Sequence, residues 1–231
     1  LVLSAYLSSP DTDNGDAPLS AHWMRAVNLA QIAELARIRT HREEDHPTLG
    51  SAVKVGVKDE EAFEVLQLLV GVLNETGRIL QEMGTNSLGV WLRETLERAK
   101  GHGFQVVREL ASTFPAFRDI HEIDGEPVYL LKKAFWLVTN VALRYQDEQM
   151  SFTTPSTEGF PIFADNVVPS EFIFSRFVST RAHELSKSTD SDKAWLSEWT
   201  EPELDAWIWN EAKGPGLRDV ERIAEKGTVY Y

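Results

Sequence analysis

The chain has 231 residues, 42% of them hydrophobic, and a formal net charge of −13. It contains no cysteine, which excludes disulfides, zinc–thiolate sites and thiol catalysis. No apolar run approaches the roughly 18 residues of a membrane span, and no basic N-terminal region indicates a signal peptide, so a cytoplasmic location away from membranes is expected. Because an acidic chain suits a nucleic-acid backbone poorly, a small nucleotide or nucleoside is favoured as the partner.

The N-terminal part predicts two helices. Residues 1–20 become rich in Ser, Asp, Gly and Pro and indicate a terminal segment and loop. Residues 23–39 carry apolar side chains at helical spacing, whereas the charged stretch 40–50 predicts a loop. Residues 59–83 give the strongest helical pattern, with an acidic start that suits a helix N-terminus. Within that helix, Gly77 either breaks the helix or permits close packing.

The rest of the chain predicts further helices and at most a small hairpin. Shorter helices are expected over residues 88–100 and 104–113, a hairpin over 120–129, and a helix apolar on most sides, hence buried, over 129–145. Helices are also expected over residues 169–186 and 201–213, the last with Thr200 and Glu203 forming a capping box. The predicted fold is mostly α, with one domain spanning residues 1–231.

An isolated carboxylate, Asp165, stands in the apolar stretch GFPIFADNVVP at residues 159–169. Such a carboxylate is costly unless it is hydrogen-bonded or used in chemistry. Asp165 or Asn166 could cap a helix that continues past Pro169. A carboxylate at a helix start can also point into a pocket, so both interpretations stay open.

Phe163, Asp165 and the following NVVP resemble the signature of the queuosine salvage proteins, the queuosine 5′-phosphate N-glycosylases. Three other stretches resemble the same family in the same order. They are LNETGRIL at residues 73–80, FPAFRD at 114–119 with VYLLKKA at 128–134, and LDAWIW at 204–209 with TVYY at 228–231. Residues 1–58 diverge from the family, and the chain looks like a shortened member.

The resemblance implies a helical domain similar to the helical DNA glycosylases. It also implies hydrolysis of queuosine 5′-phosphate without a cofactor, releasing queuine for salvage into tRNA modification. Asp165 would face the ribose, where a carboxylate stabilises or attacks the positively charged transition state. Phe163 and Asp205 would lie beside the substrate, together with Asn210, a position that is acidic in some members.

These site residues also have plain structural interpretations. Phe163 could be an ordinary core residue, and Asp205 a solvated residue in the first turns of a helix. Lys132 and Lys133 could supply a cation for the 5′-phosphate, or could extend to solvent or pair with acidic neighbours. Adjacent helical residues point about 100° apart, so at most one of the two lysines is expected to face a given pocket.

A different function is also compatible with the sequence. A degenerate paralogue could bind carbohydrates or nucleosides, as a lectin-like or defence protein, without hydrolase activity. Four tryptophans lie close together near the C-terminus, at positions suited to stacking or to the core: Trp195, Trp199, Trp207 and Trp209. The six histidines show no metal-binding spacing, so no metal site is expected. The oligomeric state is left open.

Overall fold

The computed structural model describes residues 19–123, 125–161, 163, 200–211 and 213. Within these residues the chain is mostly helical, as predicted. The elements in chain order are α1 (Ala21–Ala26), α2 (Leu29–Ala36), β1 (His41–His46), β2 (Gly50–Lys58), α3 (Glu60–Glu82), α4 (Leu88–Ala99), α5 (Gly103–Thr113), a 3-10 helix (Pro115–Phe117), β3 (Ile120–Ile123), β4 (Glu126–Tyr129), α6 (Lys132–Tyr145) and α7 (Glu201–Glu211). None of the helices in this part of the chain has both the length and the apolarity to cross a membrane.

The chain divides into two compact units, and the boundary falls within α4. The first unit contains the described residues up to Glu94, and the second contains those from Thr95 onward. The single domain expected for residues 1–231 and the likeness to DNA glycosylases stay predictions. The helix expected over residues 169–186 lies outside the described residues.

Four helices agree with the sequence prediction to within a few residues: α3, α4, α5 and α7. Asp59 caps α3 by accepting a hydrogen bond from the backbone N–H of Ala62 at 3.1 Å. At the start of α7, the Glu203 carboxylate accepts from the backbone N–H of Thr200 at 2.8 Å, which is one half of the predicted capping box. Capping hydrogen bonds therefore mark the starts of α3 and α7.

The single helix expected over residues 23–39 is wrong, because the structure has two helices there. The first ends at Ala26 with Val27 as its C-cap, and Asn28 is the N-cap of the second. Its side chain accepts from the backbone N–H of Gln31 at 3.1 Å, and the Gln31 side chain accepts from the Asn28 backbone at 2.9 Å. This reciprocal capping satisfies N–H groups at a new helix start, so the apolar pattern continues across a break in the backbone.

The loop expected over residues 40–50 is also wrong, and so is the limit of one small hairpin. Strands β1 and β2 pair antiparallel in the first unit, and β3 and β4 form the predicted hairpin in the second. The charged residues of β1 are typical of a loop, which is why the strand was not predicted. On an exposed hairpin, charged residues can pair across the strands, as Asp45 does with Lys54. The alternation of Val53, Val55 and Val57 in β2 was the missed signal.

Residues 73–80, which are part of α3, pack against α1 in the first unit. The side-chain amide of Asn74 donates to the backbone oxygens of Met24 at 2.8 Å and Val27 at 2.9 Å, at the end of α1. One helical turn further, a Cβ on Gly77 would lie 2.4 Å from the backbone nitrogen of Arg25. Gly77 therefore does not break the helix but permits close packing, and this family-like stretch has a structural role.

Residues 114–119 connect α5 to the β3–β4 hairpin in the second unit. Phe114 is fully buried, and the Arg118 side chain donates to the backbone oxygens of Ala111 at 3.1 Å and Ser112 at 2.9 Å. Arg118 thereby satisfies carbonyl groups at the end of α5 that the helix leaves without partners. The FPAFRD stretch is thus largely structural.

Helix α6 begins later than predicted and is not buried on most sides. Tyr129 pairs with Ile120 in the hairpin, so the helix starts only at Lys132. Ala134 and Val138 are fully buried, but Trp136 is 55% exposed and Leu143 58% exposed. The expected burial on most sides is therefore wrong. The exposed side chains of Trp136 and Leu143 line a cavity in the second unit.

Candidate functional site

The second unit contains a cavity of about 690 Å³. Its described walls come from α6, from residues 154–163 and from α7. Five residues predicted as site residues from the sequence line it: Lys132, Lys133, Phe163, Asp205 and Asn210. The sixth, Asp165, lies outside the described residues. Because these five come from three separate parts of the chain, tertiary folding brings them together.

One face of α7 forms a wall of the cavity. Pro202, Asp205, Ala206 and Trp209 all line it, and their spacing of three or four residues places them along one side of a helix. Asn210 also reaches the cavity. The capped start at Thr200 fixes where this helix begins and therefore which side chains share that face.

Asp205 is buried, with 9% of its surface exposed. Its Oδ1 accepts a hydrogen bond from the backbone N–H of Phe163 at 3.2 Å. The alternative interpretation of Asp205 as a solvated residue is therefore wrong. A buried carboxylate needs such partners, because burying a charge without hydrogen bonds is costly. Asp205 thus ties α7 to the segment that carries Phe163.

Phe163 is buried in an aromatic cluster and also lines the cavity. Its ring stacks on Phe135 of α6 with ring centroids 6.5 Å apart and an interplanar angle of 14°. Phe135 in turn meets Phe160 edge-on at 4.8 Å. The core role and the wall role are therefore compatible, since one side chain fills both positions.

The segment that leads to Phe163 is fixed against the start of α5. The backbone N–H of Ser156 donates to the oxygen of Gly101 at 2.9 Å. A Cβ on Gly103 would lie 2.0 Å from the Ser156 oxygen, so only glycine permits this approach without a shift of the backbone. The cavity wall near Phe163 is thus supported by main-chain contacts.

Both lysines line the cavity, so the expectation that at most one would do so is wrong. They are the first two residues of α6, where no preceding helical turn restricts the side chains. Burial lowers the pKa of Lys133 below the ordinary lysine range, the nearby Asp119 carboxylate raises it in part, and Lys132 lowers it further. The two lysines nevertheless put basic groups at one end of the cavity, and a bound anion would favour the charged form of Lys133.

The cavity residues on α6 that the sequence prediction missed include Trp136, Thr139, Asn140 and Leu143. They recur at helical spacing from Lys132, on the same side of the helix. That periodicity is present in the sequence. A helix that is expected to be buried on most sides, however, gives no indication that one side faces a cavity.

Two tryptophans with large exposed surfaces line the cavity, Trp136 on α6 and Trp209 on α7. Trp209 is 41% exposed, and the Lys213 ammonium lies 3.0 Å from the centroid of a Trp209 ring. Trp207 is exposed as well, whereas Trp195 and Trp199 lie outside the described residues. Exposed indoles beside a cavity can stack on planar ligands.

Other candidate sites are weaker in the described part of the chain. A second cavity, of about 670 Å³, is lined between α5 and the β3–β4 hairpin by residues such as Arg108 and Tyr129, and it has none of the predicted site residues among its described walls. No group of three His, Asp or Glu side chains among the described residues is arranged to hold a metal ion.

The comparison with protein families gives a direct match. The family model described as queuosine salvage protein matches residues 24–215. That match covers most of the chain and begins well before residue 73, where the first family-like stretch starts. No curated protein matches the sequence significantly. The chain belongs to the queuosine salvage protein family, and membership assigns it to queuosine salvage.

Proposed function

We propose that the chain hydrolyses the N-glycosidic bond of queuosine 5′-phosphate and releases queuine. The observation that carries this proposal is the single cavity shared by Lys132, Lys133, Phe163, Asp205 and Asn210. Cations at one end, a buried carboxylate and exposed indoles match the phosphate, the polar base edge and the planar base of such a nucleotide. Family membership supports the choice of nucleotide.

Asp165 is the proposed catalytic residue. In the sequence it follows Phe163, which lines the cavity, by two residues. Covalent geometry limits two residues of extended chain to roughly 7 Å, so the α-carbon of Asp165 cannot be far from that of Phe163. A carboxylate within that range of the cavity wall can face the ribose of a bound nucleotide.

The proposed chemistry is a hydrolysis at ribose C1′. The bond from C1′ to the base nitrogen breaks, and its electron pair stays with the base, which takes up a proton. The oxygen of a water molecule bonds to C1′ and yields ribose 5-phosphate. The Asp165 carboxylate stabilises the positive charge that develops on C1′ and the ring oxygen, or forms a transient ester with C1′.

The other cavity residues would bind and orient the nucleotide. Lys132 and Lys133 would contact the 5′-phosphate through charge-assisted hydrogen bonds. The base is a 7-deazaguanine, which lacks N7, so its departure depends on hydrogen bonds elsewhere on the ring. Asp205 and Asn210 would accept hydrogen bonds from donors of the base, and Phe163 would form the apolar wall beside it.

Product analysis tests the proposal directly. Purified protein is incubated with queuosine 5′-phosphate, and free queuine and ribose 5-phosphate are measured by mass spectrometry, with ligand binding measured in parallel by calorimetry. The proposal predicts both products in equal amounts. Tight binding without either product would identify a binding protein, and the absence of both binding and products would remove the nucleotide from consideration.

A further inference from the structure

Thr139 has a buried hydroxyl group without a hydrogen-bond partner. The residue is 8% exposed, and its Oγ1 is the buried side-chain polar atom that lacks a partner in the described part of the chain. A buried hydroxyl that makes no hydrogen bond destabilises a protein. An unpaired group of this kind in a native structure calls for a reason such as binding.

A second buried threonine shows that the helix itself does not prevent pairing. In α3, the Thr76 hydroxyl donates to the backbone oxygen of Val72, four residues earlier, at 2.7 Å. Threonine in a helix commonly adopts this arrangement. Thr139 has a helical residue at the same offset, Phe135, yet makes no such bond. Its hydroxyl is thus available for another partner.

Thr139 also lines the cavity that holds the proposed site. Beyond Cβ its side chain has only a methyl and a hydroxyl group, so the hydroxyl is at the cavity wall or one rotation about χ1 away from it. Helical threonine readily populates two χ1 rotamers, so that rotation is accessible. A ligand in the cavity can therefore pair with the hydroxyl.

The position of Thr139 along α6 selects the part of the ligand that it meets. It follows Lys132 by seven residues, which at 1.5 Å per residue is about 10 Å along the helix axis. This distance is on the scale of an extended nucleoside monophosphate. With the phosphate at the two lysines, the base end of the ligand reaches Thr139.

We infer that Thr139 is a specificity-determining residue whose hydroxyl pairs with a polar group, a hydroxyl or an amine, on the base end of the bound nucleotide. This inference rests on the proposed function. On the same helix face, the apolar side chains of Trp136 and Leu143 line the cavity on either side of Thr139, with Asn140 as a polar neighbour. A single hydroxyl in such surroundings discriminates strongly, because a ligand without the matching group leaves it buried and unpaired.

Two substitutions separate the hydroxyl from the shape of the side chain. Thr139→Val keeps the shape and removes the hydroxyl, whereas Thr139→Ser keeps the hydroxyl and removes the methyl group. KM and kcat for queuosine 5′-phosphate and Tm are measured for both. We expect Thr139→Val to raise KM about tenfold, with kcat within twofold of wild type and Tm unchanged or higher. We expect Thr139→Ser to keep KM within about threefold of wild type.

The matched control is Thr76→Val, which removes a buried helical hydroxyl far along the chain from the cavity residues and should leave KM unchanged. An unchanged KM in Thr139→Val would overturn the inference while leaving the proposed function intact. A KM in Thr139→Ser as high as in Thr139→Val would also overturn it, since shape would then matter and not the hydroxyl. Wild-type protein that neither binds nor hydrolyses the nucleotide would instead reject the proposed function, and the inference with it.

Discussion

The backbone N–H of Phe163 donates a hydrogen bond to Oδ1 of Asp205 at 3.2 Å, across 42 residues of sequence. Phe163 stacks on α6, and Asp205 belongs to α7. This bond therefore connects α6 and α7 through Phe163, which lies two residues before Asp165 in the sequence. A change at Asp205 can act through binding of the ligand, through this link, or through both.

Asp165→Asn should abolish hydrolysis while leaving ligand binding largely intact. Asparagine has nearly the same shape but no charge, so it can neither stabilise a cationic ribose nor form an ester. We expect kcat to fall at least about a hundredfold, measured by queuine release. If the variant melts early but its folded fraction turns over normally, Asp165 is a helix cap and the catalytic assignment is wrong.

Asp205→Asn should weaken binding more than turnover at saturation. The asparagine oxygen can still accept from the Phe163 N–H, so Tm should change little, whereas pairing with base donors loses its charge assistance. We expect KM to rise about tenfold with kcat within a few fold.

Asp205→Ala is the companion variant for this position. It removes the acceptor altogether and leaves the buried Phe163 N–H without this bond, which should cost about 1–3 kcal/mol of unfolding free energy. A kcat loss in Asp205→Asn as large as in Asp165→Asn would contradict a role confined to binding.

Lys133→Met should stabilise the protein and weaken binding of the monophosphate. Burial lowers the pKa of Lys133, so the folded state disfavours its charge at neutral pH, and an apolar side chain removes that penalty. The monophosphate should lose tenfold or more in affinity, whereas the nucleoside should bind as before. Calorimetry with both ligands, with Lys132→Met as the companion variant, measures this; equal losses for both ligands would argue against a phosphate contact.

The same shift makes the stability gain depend on pH. Because the folded state releases the Lys133 proton at a lower pH than the unfolded chain, the unfolding free energy of wild type rises with pH between those two pKa values. Lys133→Met lacks this contribution. The stability advantage of the variant should therefore be largest near neutral pH and shrink in the alkaline range, as measured by urea unfolding at several pH values.

Gly77→Ala should destabilise the first unit. An added Cβ would lie 2.4 Å from the backbone nitrogen of Arg25, so α1 must move away. Such overpacking typically costs about 1–3 kcal/mol. Gly71→Ala in the same helix is the control, because nothing lies within 4 Å of its added Cβ. Alanine is the better helix former there and should add about 0.5–1 kcal/mol of stability, so equal effects of the two changes on Tm would contradict the packing role of Gly77.

The sequence by itself determined four of the helices and selected five of the residues that line the cavity. Caps such as Asp59 and Thr200 and the spacing of apolar residues act within a few positions, so α3 to α5 and α7 could be predicted locally. The likeness of separate motifs to one family selected five residues that line one cavity. Nothing local predicted that they would share it.

Only the tertiary structure decided which of these side chains face each other and which elements lie on the surface. The pairing of charges across the exposed β1–β2 hairpin, the burial of Asp205 against the Phe163 backbone and the access of both lysines to the cavity depend on contacts between distant parts of the chain. Whether the Thr139 hydroxyl has a hydrogen-bond partner also depends on such contacts. A sequence pattern records the period of one helix, whereas burial and hydrogen bonding depend on what packs against it.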